Sequence, residues 1–140
     1  SSYLKSIYSR KRQCLYSKFR IGICPLRIET GRYEINKNTK GKGIPAIERT
    51  CQMCNSNDIE DEFHFLLVCP KYDELRDILF NRLNIDVNEF SSITKRKALF
   101  NDLFDEYPVY APLRSEKRHE IIADYLWKAF TVRAKCISSN

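Results

Sequence analysis

Between residues 51 and 69 the chain places three cysteines and a histidine in one pattern, and no other feature restricts its folding as much. Cys51 and Cys54 enclose two residues, His64 follows after nine more, and Cys69 after another four. A Cys-x-x-Cys turn brings two thiolates to one side of a metal, as structural zinc sites require. The second pair is harder to satisfy. Residues five apart lie about 140° apart on an ideal helix, and in a strand they point to opposite faces. Neither regular structure presents His64 and Cys69 to one ion, so the chain must change course between them. Pro70 supplies a cause, because a residue preceding proline is pushed out of the helical region. The expectation is a helical turn over Glu62–Val68 with Cys69 at its end turned back toward His64. The four acids between Asp58 and Glu62 suit the start of that turn, and carboxylates there can orient the His64 ring.

Rival uses of these residues fit less well. A redox Cys-x-x-Cys calls for a strand–helix context, whereas Cys51 and Cys54 stand among polar loop residues. A disulfide between them leaves His64 and Cys69 without a role, and iron–sulfur clusters usually take four thiolates. Zinc uses all four residues. Because a catalytic zinc keeps a position open, four protein ligands imply one closed, structural Zn2+. The other cysteines, Cys14, Cys24 and Cys136, are scattered and read as free and buried. Thiols used in this way belong to a reduced, intracellular protein, nuclear or cytoplasmic.

Helical periodicity surrounds the metal segment. Leu4, Ile7, Tyr8, Cys14, Leu15 and Phe19 predict a helix over 2–21, ended by Gly22 and Pro25. Residues 25–33 are a short connection, and Asn36–Gly43 is a flexible basic loop. Tyr72, Leu75, Ile78, Leu79 and Leu83 mark a helix opening at Pro70, with Asp73 and Glu74 suiting its dipole. Ser91 or Ser92 caps a helix through Phe104. The last helix, 115–135, carries the stripe Ile121, Ile122, Tyr125, Leu126, Ala129 and Phe130. The expected fold class is mainly α, a small helical domain with an irregular zinc-binding loop at its centre. Its parts are a basic helical flank and loop (1–48), a CCHC module with the following helix (49–83), and C-terminal helices packing on it (84–140), in one compact unit. No apolar run approaches the roughly 20 residues of a membrane span. The chain starts without methionine, which suggests a piece of something longer.

The stretches Lys18-Phe19-Arg20-Ile21-Gly22, Leu26 to Tyr33 and Ile44 to Cys51 lead into Cys51-x-x-Cys54. Ile59-Glu60-Asp61-Glu62-Phe63-His64-Phe65-Leu66-Leu67-Val68-Cys69-Pro70 follows, then Tyr72 and Arg76. Over about residues 18–80 this resembles the zinc-binding C-terminal region of non-LTR (LINE-type) retrotransposon reverse transcriptases. The resemblance implies that Cys51, Cys54, His64 and Cys69 are CCHC zinc ligands. It also implies a parent protein that copies RNA into DNA primed at its target, whose polymerase domains lie upstream and whose RNA or DNA this region helps to hold. The basic loop lengthens the link to Cys51 relative to the family pattern. No polymerase motif is present, so catalysis is not ascribed to this chain. A domesticated or stand-alone zinc-dependent protein-interaction module would carry the same pattern.

Charge distribution bears on where nucleic acid would lie. Residues 1–50 hold twelve Lys/Arg against three Asp/Glu, residues 51–90 hold three against nine, and residues 91–140 hold nine against six. The acidic stretch 58–62 repels phosphates. The expected surface is therefore Arg10, Lys11, Arg12, Lys18, Arg20, Arg27, Arg32, Lys37, Lys40 and Lys42, with Tyr3, Tyr8, Tyr16 and Tyr33 available to stack on unpaired bases. The plainer account of such a run is a solvated helix face with Tyr8 or Tyr16 in the core. His119 reads as an exposed residue, and Glu116, Glu120 and Asp124 as helix surface. No nucleophile–base pair or glycine-rich phosphate loop stands out, so neither catalysis nor a small-molecule substrate is expected.

Overall fold

The computed structural model describes residues 2–34, 43–111, 113 and 115–138. The expected loop Asn36–Gly43, Gly43 excepted, lies outside the described residues, and with it Lys37, Lys40 and Lys42. The protein is mainly α. Helix α1 (Ser2–Arg20) leads to the single-turn α2 (Arg27–Thr30), and then to α3 (Asp73–Arg82), α4 (Ile93–Leu103) and α5 (Ser115–Ser138). Short 3-10 turns stand at Ala46–Glu48, Pro70–Tyr72 and Val87–Phe90, and a π-helical turn at His64–Val68. The only β pairing among the described residues is an antiparallel bridge of Thr50 with Ile59.

Local chemistry sets the helix ends. Gly22 takes φ +77°, and the Ile23 and Gly22 amides reach back to the carbonyls of Lys18 and Phe19 at 3.1 and 3.2 Å. This Schellman closure needs a residue content at positive φ. Of the two candidate serines, Ser92 is the cap of α4, its Oγ accepting from the Lys95 amide at 3.2 Å. A 3-10 turn beginning at Pro70 precedes α3, so the proline sits before the α-helix proper.

The long helix α5 packs against both α1 and α3, while α4 packs on the π turn. Its expected stripe is largely inward: Ile121, Ile122, Tyr125, Leu126 and Ala129 are buried and Phe130 is half-buried. Phe65 sits where the elements meet, its ring 4.4 Å from Phe130 and 4.8 Å from Tyr72 between centroids. Three expectations are corrected. Tyr16 and Phe19 form the inward face of α1, which turns Cys14 out to solvent. His119 is half-buried, with its ring 4.8 Å from that of Tyr16. Asp124 is half-buried as well and receives Arg12 and Arg82, the latter at 2.8 Å. No described helix is long and apolar enough to cross a membrane.

Candidate metal centre

The backbone from Arg49 to Glu60 folds back on itself. Cys51 N–H donates to the Asp58 carbonyl at 2.8 Å and Glu60 N–H to the Arg49 carbonyl at 3.1 Å. Within that loop Cys51 and Cys54 form a tight turn in which the Met53 amide donates to Cys51 Sγ at 3.4 Å. The other pair of donors comes from the π turn. Its i→i+5 bond, from Cys69 N–H to the His64 carbonyl at 2.7 Å, winds the chain more slowly than an α-helix. A residue five places on thus returns toward the same side. Cys69 then leaves at φ −59°, ψ 121° ahead of Pro70. The expected helical turn over Glu62–Val68 is present, and its π character reconciles a spacing that an α-helix would reject.

The four ligand atoms all lie within 4.8 Å of one another. Cys51 Sγ and Cys69 Sγ are 3.9 Å apart, and Cys54 Sγ and His64 Nε2 are 3.4 Å apart. A tetrahedral cation bonded to sulfur at about 2.3 Å and to nitrogen at about 2.0 Å sets such edges at roughly 3.8 and 3.5 Å. The cluster therefore fits a four-coordinate metal ion. Its electrostatics agree. The bond from Cys69 holds the Cys51 thiol well below its usual range, against the opposing effect of burial and with help from His64 and the Met53 amide. The same bond and burial push Cys69 far up. Burial alone would lower His64, yet the facing sulfurs of Cys51 and Cys54 raise it. Thiols this close share protons until a cation neutralises them all. His64 Nδ1 is buried without a hydrogen-bond partner and faces Asp58 Oδ2 at 3.7 Å. Ligation through Nε2 would leave the ring proton on Nδ1, directed at that carboxylate.

A π turn leaves carbonyls that an α-helix would satisfy, and distant residues supply their donors. Tyr125 Oη donates to the Phe65 carbonyl at 2.8 Å, and Arg96 Nη1 to that of Leu67. Arg76 donates through Nε to Leu66 at 3.1 Å and through Nη2 to Cys69 at 2.7 Å. Beneath the ligands lies Glu60, 0% exposed. Its carboxylate accepts from Arg133 Nε and Nη2 at 2.9 and 2.7 Å and from the Arg27 amide at 2.7 Å, with Cys51 Sγ at 3.8 Å. Sequence reasoning missed these supports. Glu60 stood inside an acidic run that reads as surface, and nothing in the sequence pairs it with Arg133.

The basic residues divide. Arg10, Lys11, Lys18 and Arg20 are exposed on α1, and Arg32 is exposed 3.5 Å from Glu29. Arg20 also lies 5.9 Å from the ring centres of Tyr16 and Phe104. Arg27 is corrected: it is buried, and its guanidinium grips Glu34 at 2.7 and 2.8 Å, so it offers phosphate no free fork. Arg12 is half-buried and committed to Asp124. Tyr16 is core, whereas Tyr33 is 76% exposed. Compared with known protein families, curated proteins and solved structures, the chain has no match.

Proposed function

We propose that the chain is a zinc-stabilised, non-catalytic nucleic-acid-binding domain, comparable to the C-terminal region of LINE-type reverse transcriptases and contributing RNA or target-DNA binding to upstream polymerase domains. The observation that carries the reading is the closed Cys51, Cys54, His64 and Cys69 cluster with an exposed basic face on the neighbouring α1. Three thiolates and one imidazole at these separations suit zinc, a borderline-soft ion without geometric preference of its own. Its role is structural, since four protein donors leave no position for substrate.

Support for nucleic acid comes from charge. Arg10, Lys11, Lys18 and Arg20 keep their side chains in solvent, while many other arginines are spent on internal carbonyls and carboxylates. Metal analysis of purified protein should give one zinc per chain. Affinity for a mixed-sequence RNA or DNA should fall with salt, and Arg10, Lys11 and Arg20 changed together to Gln should flatten the log–log slope. Each lost phosphate contact is worth about 0.7–0.9 in that slope. Zinc content should be unchanged by that triple variant. A protein-interaction module on the same zinc fold would show little salt-dependent binding, and that result would replace this reading.

A further inference from the structure

Where the end of α1 meets α4, the surface opens into a pocket of about 450 Å³. Phe19, Phe100 and Phe104 line it, together with Arg20 from α1, Glu62 from the turn before His64, and Asn101 from α4. Its aromatic wall belongs to a longer row. Ring centres are 6.2 Å apart from Phe19 to Phe104, 5.4 Å from Phe104 to Phe100 and 5.7 Å from Phe100 to Phe63. One cation stands near each half of the row: Arg20 lies 5.9 Å from the Phe104 ring centre, and Lys97 Nζ lies 6.0 Å from that of Phe63. Arg20, Lys97 and Asn101 are exposed, and Glu62 is half-buried. Arg20 makes only a long bond to the Phe104 carbonyl, at 3.5 Å. Among the described residues, no hydrogen bond or ion pair to another residue holds the Glu62 carboxylate or the Asn101 amide. Core packing explains the rings, but it gives no duty to a carboxylate and an amide set beside them.

We infer that this pocket takes one unpaired base of a nucleic acid, guanine ahead of the others, with the adjoining phosphates at Arg20 and Lys97. The inference rests on the nucleic-acid reading above and narrows it to one base and one place. Three observations select the occupant. Phenylalanine rings offer the flat apolar surface on which a splayed-out base lies, and polar groups beside such a surface read the edge of the base. The volume falls within the roughly 300–1,000 Å³ of small-molecule sites and is far too small for a duplex. The two cations stand at the rim, where the phosphates of the same strand would pass. Guanine follows from Glu62. An ionised carboxylate only accepts, and guanine carries two adjacent donors, N1–H and N2–H, on its pairing edge. The Asn101 amide carries a donor for O6 as well. In a duplex that edge is taken by cytosine. An aromatic side chain of a protein partner is the competing occupant.

The test varies one base at a time. The full zinc-loaded chain is titrated with labelled oligothymidylates, plain or carrying one central guanine, adenine or cytosine, and with an acidic peptide bearing one tryptophan, and anisotropy is read. The guanine strand should bind roughly ten-fold tighter than the plain one, the size of one good bidentate base contact. Glu62→Gln exchanges two acceptors for one acceptor and one donor on the same frame. It should erase the guanine preference while affinity for the plain strand holds or rises. Lys97→Gln, at an exposed position, should weaken every strand alike and keep the preference. Zinc content should stay at one per chain in both variants. Ultraviolet crosslinking of the guanine strand, mapped by peptide mass spectrometry, should mark Phe100 or Phe104. Equal affinity for all the strands, or a guanine preference that Glu62→Gln leaves in place, would overturn the pocket assignment and leave the nucleic-acid reading intact. No binding of any strand would remove both. A peptide crosslinked to Phe100 or Phe104, with the strands crosslinked elsewhere, would assign the pocket to a protein partner and overturn the inference.

Discussion

At the scale of single residues, the six cysteines separate by environment. Cys24 is fully buried and burial pushes its thiol up to about 11, with Glu62 adding to the rise. Cys14 is exposed. In metal-loaded protein at pH 8, an alkylating reagent should modify Cys14 first, while Cys24, Cys51, Cys54 and Cys69 stay protected, as mass spectrometry would reveal. Chelation should then open the metal-site cysteines before Cys24; simultaneous labelling of all four would contradict the separation. Cys54→Ser should lose the metal and the fold with it. Structural zinc is worth about 10–16 kcal/mol in small peptides, against about 5–15 kcal/mol for a whole domain. Cys14→Ser should keep full metal content, and metal loss there would show that the ligand set is misassigned. Glu60 belongs to the same scale. Changing it to Gln leaves Arg133 buried beside a neutral partner, a loss of about 3–5 kcal/mol for a broken buried pair. Denaturant unfolding that shows no loss would mean that the Arg133 charge finds water instead.

Among the elements, the π turn at His64–Val68 has the least support of its own and the most from elsewhere. Its carbonyls are served by Tyr125 from α5, Arg76 from α3 and Arg96 from α4, so three helices converge on five residues. Arg118 does comparable work at the end of α4, donating to the Leu103 and Asp105 carbonyls at 3.0 and 2.9 Å. An orphaned buried acceptor costs about 1–3 kcal/mol, and Arg76 covers two. Arg76→Leu should therefore destabilise the protein by about 2–6 kcal/mol and lower metal affinity with it. Arg76→Lys should rescue little, since one ammonium on a flexible stem lacks the planar fork that reaches both carbonyls. Full rescue by lysine in a thermal melt would show that charge, and not geometry, is what the turn requires. Arg76 thus has a structural duty that explains its place four residues beyond Tyr72 without any contact to phosphate.

For the whole molecule, the metal loop is wired to the chain's two outer helices. Glu60 joins the Arg27 amide at the start of α2 to Arg133 near the end of α5, and α5 packs on α1. Removing the metal should thus be felt beyond residues 49–70. Hydrogen exchange after chelation should quicken in α5 around Ala129–Arg133 as well as in the π turn, and a response confined to 49–70 would show the loop to be an independent unit. Much of this architecture was legible beforehand, for reasons of local chemistry. The ligand spacing and Pro70 together required a break in regular structure after His64, and apolar periodicity located α5, α4 and α3. Gly22 and Ser92 marked ends because only certain residues tolerate positive φ or cap an amide. The misreadings share one cause. Arg27, Arg12, Asp124 and Glu60 look like surface in sequence, and a charged residue goes inside only when a partner meets it there, seven residues on for Arg27 but 112 for Arg12. The sequence by itself determined which residues gather at the metal and where the helices run, because those follow from spacings of a few residues. Only the tertiary structure decided which charges remain in solvent, because each one turned inward is held by partners the fold brings to it, 73 positions apart for Glu60 and Arg133 and 112 for Arg12 and Asp124.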